Sequence, residues 1–128
     1  ASKKENREKY YLALVLKAGA IIGDAGFTIL SKIDGGGIAN MGYFLRKDYW
    51  NKGYGTEAAK MMLNFCFNQL NLHKVTAGCD ADNHASEKIM KKCGMKKEAE
   101  YREHIYMEGI WKNRLEYAIL KKEYNSSR

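Results

Sequence analysis

The stretch Tyr49-Trp50-Asn51-Lys52-Gly53-Tyr54-Gly55-Thr56-Glu57-Ala58 decides the reading of this chain. Its glycines at 53 and 55 stand just ahead of a segment with helical periodicity, Glu57 to Leu70. There Ala59, Met62, Leu63, Cys66 and Leu70 fall on one stripe, which Ala58, Met61 and Phe65 widen. A strand ending near Arg46, a glycine loop and then a helix present free backbone N–H groups to an anion. Glycine suits such a loop because a Cβ blocks close approach of a phosphate and because some positions need positive φ. Lys52 adds a charge nearby, and Glu57 complements the positive helix end. The spacing is neither a Walker loop nor the GxGxxG of a dinucleotide fold. On spacing alone, a tight turn accounts for it equally well.

Upstream, Tyr10 to Lys17, Ile21 to Leu30 and Ile38 to Leu45 read as three strands, punctuated by Gly19 and the turn Asp34-Gly35-Gly36-Gly37. The short first connection makes the first pair antiparallel. Residues 1–9 are polar and read as the tail of a helix or a frayed end. Downstream, His73 to Cys79 is a short strand and Asn83 to Cys93 a second helix. Asp82 or Asn83 is the N-cap of that helix and Gly94 its stop. Lys97 to Met107 and Ile110 to Leu120 flank Glu108-Gly109 as a closing hairpin. The order β-β-β-α-β-α-β-β predicts an α+β, or mixed α/β, layered domain over residues 1–128.

Composition narrows the function classes. With 128 residues, 29% charged and 45% hydrophobic, the chain is an ordinary globular domain, not a disordered or low-complexity one. No apolar run approaches the roughly 20 residues of a membrane span, and ASKKENREKY lacks the apolar core of a signal peptide. The three cysteines, Cys66, Cys79 and Cys93, show no paired spacing for zinc. They read as reduced, partly buried thiols of a cytoplasmic protein. The net charge of +7, from 22 Lys+Arg against 15 Asp+Glu, attracts polyanions. It does not separate nucleic acid from a phosphate-rich cofactor. Short lysine doublets without interleaved aromatics argue against a single-strand platform.

The loop quoted above resembles the pyrophosphate loop of the GNAT superfamily of acetyl-CoA-dependent N-acetyltransferases, usually Gln or Arg, two residues, Gly, one residue, then Gly or Ala. Trp50 at the first position is a departure typical of the branch containing the ribosomal-protein N-terminal acetyltransferases. Asn40-Met41-Gly42-Tyr43-Phe44-Leu45 and Asp82-Asn83-His84-Ala85-Ser86-Glu87-Lys88 resemble the same branch. So do Cys93-Gly94-Met95 and Arg102-Glu103-His104 with Glu108-Gly109. The resemblance covers roughly residues 10 to 124. It implies a central, mostly antiparallel sheet with a V-shaped splay. Members of this branch begin with a further strand and one or two helices, so the expectation is an N-terminally incomplete domain. Tyr10 to Leu16 is then an apolar sheet edge, and a homo-oligomer is expected.

By resemblance, the pantetheine arm of acetyl-CoA lies in the splay and pairs with backbone groups of Phe44 and Leu45, and Arg46 is a further cofactor-binding residue. Amides of Asn51, Lys52, Gly53, Tyr54, Gly55 and Thr56 take the pyrophosphate. Asn83 hydrogen-bonds the pantetheine side, or is simply a helix cap. Lys88, or else Lys91 or Lys92, reaches the ribose phosphate, or stays in solvent. Many relatives place Glu where Asn40 stands, Tyr where Met90 stands and Asp where Asn113 stands. Ser86 is the residue that this branch offers as candidate general acid instead, by resemblance, or a polar residue of the first helical turn. The proton of the amine leaves through water or through Glu100, Glu103 or His104, each of which is otherwise an exposed strand residue.

These readings predict acetyl transfer from acetyl-CoA, without a metal, to a primary amine, either a protein N-terminus or a small amine. The alternatives are a CoA-binding module without chemistry and a basic nucleic-acid-binding domain.

Overall fold

A computed structural model of the chain describes residues 9–33 and 36–126. Three strands come first: β1 (Lys9–Val15), β2 (Ile21–Ile33) and β3 (Gly36–Leu45). A 3-10 turn at Lys47–Tyr49 leads to α1 (Tyr54–Asn64), which continues into a π-helical turn at Phe65–Gln69. β4 (Lys74–Asp80), α2 (His84–Lys92), β5 (Lys96–Met107), β6 (Ile110–Leu120) and α3 (Lys121–Ser126) complete the chain. The expected element order is present, and α3 is an addition to it. Of the expected glycine turn, residues 34–35 lie outside the described residues, and Gly36 and Gly37 pair with β2. The polar stretch 1–8 also lies outside them.

The six strands form one sheet in the order β1-β2-β3-β4-β6-β5. Only β3 and β4 are parallel, because the loop and α1 between them carry the chain back across the sheet. This is the mixed α+β, mostly antiparallel sheet that the sequence predicts. Alternate residues Ala25, Phe27, Ile29, Ala39, Met41, Val75, Ala77, Leu115, Tyr117 and Ile119 form one buried face. Against it pack Ala59, Met62, Leu63, Cys66 and Phe67 of the first helical segment and Met90 of α2.

The helix stripe departs from expectation at its second half. Met61 is 59% exposed and Phe65 37%, whereas Phe67 is buried at 1%. The π turn inserts about one extra residue per turn and so rotates the later side chains out of the 3.6-residue phase. Phe65 instead leans on the rim, with its ring 6.0 Å from that of Tyr10 and 5.9 Å from that of Phe27. The cysteines are free thiols, as expected, with Cys66 and Cys79 buried. Burial pushes the Cys66 thiol up to about 12, so it stays protonated and inert.

Candidate active site

β3 and β4 pair only from Ile38 with Lys74 to Met41 with Ala77. Beyond that point β3 follows β2 as far as Leu45 opposite Gly23, and β4 follows β6 as far as Asp80 opposite Arg114. The two strands therefore diverge. A cleft of about 300 Å³ opens between them, lined by Met41, Tyr43, Ala77 and Cys79 from the strands and by Ser86 and Met90 from α2.

The ladder phase decides which backbone groups face this cleft. Arg46 donates its N–H to the Ile22 carbonyl at 2.8 Å. Phe44, two residues earlier, therefore turns its N–H and C=O to β2, while Tyr43 and Leu45 turn theirs the other way. Phe44, expected to pair with a bound arm, thus spends its backbone groups on β2, and the groups that face the cleft are those of Tyr43 and Leu45. The Leu45 carbonyl already accepts the Trp50 indole N–H at 2.8 Å, a bond that ties the loop back onto the end of β3. The Arg46 guanidinium also turns back, donating to the Ile21 carbonyl at 3.3 Å.

Gly53 caps α1 with φ +86 and no side-chain hydrogen bond. The first helical bond runs from the Glu57 N–H to the Gly53 carbonyl at 3.0 Å. The amides of Tyr54, Gly55 and Thr56 precede it and have no carbonyl behind them in the helix. The two glycines differ in purpose. A Cβ on Gly53 meets nothing within 4 Å, so its role is the left-handed conformation and an open approach. A Cβ on Gly55 falls 2.8 Å from Ile89 Cδ1 and 3.4 Å from the Tyr43 ring. Gly55 is thus a packing glycine between α1, α2 and β3. Asn51 and Lys52 are exposed on the loop, and Asn51 also has positive φ.

On α2 the Asn83 side chain accepts the Ser86 N–H at 3.0 Å, which establishes the cap and leaves its amide NH₂ as a donor. Ser86 lines the cleft together with Tyr43 of one wall and Cys79 of the other, and it offsets in part the upward push of burial on both of their pKa values. The Cys79 thiol itself donates to the Asn83 carbonyl at 4.0 Å. Burial holds the Tyr43 phenol above its ordinary range, opposed in part by Ser86. Lys88 is exposed, and Lys91 stands 4.0 Å from Glu87. Among the described residues, no group of three or more His, Cys, Asp or Glu is placed to hold a metal, and no helix is long and apolar enough to cross a membrane.

The acetyltransferase (GNAT) domain family matches residues 1–96. The chain belongs to the GNAT acetyltransferase family. It is 33% identical to the uncharacterized N-acetyltransferase YnaD of Bacillus subtilis over 124 residues, which is 97% of this chain and 71% of YnaD. A GNAT-family acetyltransferase structure from Bacillus anthracis superposes with a TM-score of 0.76 at 29% identity, covering 88% of this chain and 66% of that one. Two further structures share the fold. Spermidine N-acetyltransferase SpeG (F149A mutant) from Vibrio cholerae has a TM-score of 0.85 at 20% identity, covering 94% of this chain and 70% of that one. Ribosomal-protein-S5-alanine acetyltransferase from Vibrio fischeri has a TM-score of 0.82 at 24% identity, covering 91% and 63%. GNAT acetyltransferases use acetyl-CoA as the acyl donor.

The hairpin residues lie elsewhere. Glu100 accepts from the Asn113 amide at 2.8 Å and stands 3.8 Å from Lys97. Glu103, at φ +45, donates its N–H to the Asn113 Oδ1 at 2.9 Å, and the His104 ring lies 5.3 Å from that of Tyr101. All three are exposed, and the cleft wall takes Ile105 and Met107 from β5 instead. An irregularity between Tyr101 and Ile105, bridged by Asn113, turns the intervening residues away. The fold does not gather Glu100, Glu103 and His104 with Ser86. Tyr43 is the site residue that sequence reasoning missed. Its place in the Gly42-Tyr43-Phe44 run, on the same face as buried Met41, was the available signal.

Behind the cleft, buried Tyr117 donates its hydroxyl to Glu87. Burial, together with that carboxylate, pushes the Tyr117 phenol up to about 12. The hydrogen bond holds Glu87 below its ordinary range. A phenol whose folded pKa exceeds its unfolded value of about 10 favours the folded state below pH of about 10. That contribution disappears as pH rises through about 12. The depressed Glu87 contributes above the ordinary carboxyl range and loses its contribution as pH falls through its folded value. Melting curves across alkaline pH are expected to show a falling limb in wild type that is shallower in Tyr117→Phe. Parallel limbs contradict the assignment.

Proposed function

We propose that this protein transfers the acetyl group of acetyl-CoA to a primary amine. The observation that carries the reading is the divergence of β3 and β4 beyond Met41 and Ala77, beside the uncapped start of α1. An extended, amide-bearing arm adds to Tyr43 and Leu45 as a further strand. A pyrophosphate meets the Tyr54, Gly55 and Thr56 amides with Lys52 beside them. Asn83 offers its amide to the arm and Lys88 its charge to the ribose phosphate.

In the transfer, the amine lone pair forms the N–C bond as the thioester C–S bond breaks, and the proton leaving nitrogen is balanced by one reaching sulfur. Ser86, which lines the cleft beside Tyr43 and Cys79, is the donor to the departing thiolate. That thiol has a free pKa of about 8.5, so an acid adds little. Ser86→Ala is therefore expected to lower kcat by less than about a hundredfold with acetyl-CoA affinity unchanged. A loss confined to affinity reassigns Ser86 to binding. An α-amine, with a reference pKa of about 7.7–8.0 against about 10.4 for lysine, needs the least help from a base. This matters because Asn40 supplies none.

The test is single-turnover release of CoA from acetyl-CoA in the presence of small primary amines and free-amine peptides. Amine-dependent release at rates above hydrolysis supports transfer. CoA binding without release with any amine establishes the second reading, a CoA-binding module, which Met90 and the outlying hairpin acids favour. A DNA oligomer that stabilises the chain where CoA does not favours the nucleic-acid reading. A cytoplasmic location and self-association belong to the same proposal. β1 is the outermost strand of the sheet, with Tyr11 76% and Val15 54% exposed. Such an edge pairs readily with a second copy. Light scattering is expected to give a mass above 14.6 kDa, and a strict monomer rejects self-association.

A further inference from the structure

The geometry points to Glu116 as the group that takes the proton from the acceptor amine, with Arg114 as the residue that positions it; this rests on the acetyl-transfer reading. Strand register places the pair. Met41 and Ala77 are the last partners of β3 and β4, so Gly42 and Gly78 are the first residues past the point of divergence. Side chains alternate across a sheet. Met41, Ala77, Leu115 and Tyr117 belong to the buried face under the helices. Gly42, Gly78, Arg114 and Glu116 therefore face the other way, and Glu116 stands directly opposite Gly78 in the ladder. The two glycines make a window between the faces, since both also line the cleft. A Cβ on Gly42 meets nothing within 4 Å, so that side of the window is open. A Cβ on Gly78 falls 2.1 Å from Arg114 Nη2, 2.3 Å from its Cζ and 2.9 Å from its Nε. The guanidinium thus rests on bare backbone at the other side. Its Nη2 donates to Glu116 Oε1 at 3.0 Å, and Oε2 has no partner among the described residues.

The helices cover one side of the cleft, so with the donor in place an amine reaches the thioester from the bare face. On that face a trough of about 360 Å³, lined by Tyr11, Asp24, Asn40 and Phe44, meets the cleft at Met41, Gly42 and Tyr43. The other polar groups of this face are committed or displaced. Asn40 carries no charge and gives its NH₂ to the Thr76 hydroxyl at 3.0 Å. Asp80 accepts the Asp82 N–H at 3.0 Å, and Glu98 accepts from Lys74 at 2.9 Å. Asp24 pairs with Phe44, one row further out and two strands from Gly78. Glu116 is the carboxylate in the same row as the window. In the reaction the nitrogen lone pair bonds the thioester carbon, and the carbonyl pair moves onto oxygen. The nitrogen then sheds a proton to Glu116 Oε2, directly or through one water. The oxygen pair re-forms the carbonyl as the C–S bond breaks, and sulfur gains a proton, so amide and thiol are the products. Arg114 occupies Oε1 and leaves Oε2 for the transfer.

Single-turnover release of CoA from bound acetyl-CoA tests this in the full chain, with the fastest of glycinamide, propylamine and an alanine-terminated peptide as acceptor. Glu116→Gln keeps the shape of the side chain and still accepts from Arg114. It is expected to lower the rate about a hundredfold or more, with acetyl-CoA affinity as in wild type. Glu116→Ala is expected to lose as much and to regain about tenfold when acetate is added, which gives wild type nothing. Arg114→Met is expected to lose about tenfold and to ignore acetate, because its carboxylate remains. A Glu116→Gln rate within about threefold of wild type overturns the assignment, as does a deficit in Glu116→Ala that acetate leaves unchanged. A loss in Asp24→Asn as large as that in Glu116→Gln overturns it too. Wild-type release no faster than hydrolysis with all three amines removes the acetyl-transfer reading and the assignment together, whereas an active wild type with indifferent variants removes the assignment alone.

Discussion

Saturating acetyl-CoA is expected to raise the melting temperature by on the order of 10 °C, and Gly53→Val to remove most of that rise. A ligand that binds only the folded state at about a hundred times its Kd stabilises it by about 2.7 kcal/mol. In a domain of this size each kcal/mol moves the midpoint by about 3–6 °C. Gly53 caps α1 at φ +86, where a β-branched residue is strained by about 1–2 kcal/mol. Relief of that strain turns the first-turn amides away from an anion. Gly53→Asn separates strain from binding, because asparagine tolerates the left-handed region. The expectation is near-wild-type melting without ligand and a reduced ligand shift, since any side chain at 53 enters the space that is open there. A full shift in both variants makes the loop a turn and nothing more. Differential scanning fluorimetry with acetyl-CoA, followed by CoA alone, measures all of these.

Gly23→Ala is the substitution expected to damage the apo fold most at a single atom's cost. An added Cβ falls 2.1 Å from the Phe44 carbonyl oxygen and 2.9 Å from the Leu45 Cα, both backbone, so no side chain can swing aside. The end of β3 must move, and with it Tyr43, Leu45 and the Trp50 indole bond that anchors the loop. Overpacking of this kind costs about 1–3 kcal/mol or somewhat more. Chemical denaturation is expected to show that loss together with a weakened acetyl-CoA shift. Gly42→Ala is the control for stability, because its Cβ meets nothing within 4 Å. Equal stabilities for the two variants contradict the close approach of β2 and β3 at this point.

The elements were legible because each carries a local signal. Glu108-Gly109 adopts the two positive φ values of a tight hairpin turn, and Asn83 caps α2 through its own side chain. The loop from Tyr49 to Ala58 was legible in the same way and carried the family with it. What a local signal does not carry is phase. The stripe fails at Met61, which lies outside the narrower buried arc of Ala58, Ala59, Met62 and Leu63, and again at Phe67, which the π turn over Phe65–Gln69 brings onto the core in place of Phe65. Tyr43 rather than Phe44 turns its backbone groups to the cleft because the ladder bond from Arg46 to Ile22 fixes the phase.

By itself, then, the sequence determined the order of the elements, the glycine loop and, through the motifs around it, the family. All of these depend on residues within a few positions of one another. The tertiary structure alone decided that Gly55 serves packing, that Tyr43 and Ser86 line one cleft, and that Glu100, Glu103 and His104 stay outside it. It also placed Tyr11, Asp24 and Phe44 around one bare patch of sheet. Each of those outcomes rests on register between strands or helices far apart in the chain. Register follows from the closest packing of all their side chains at once, not from the residues on either side of any one of them.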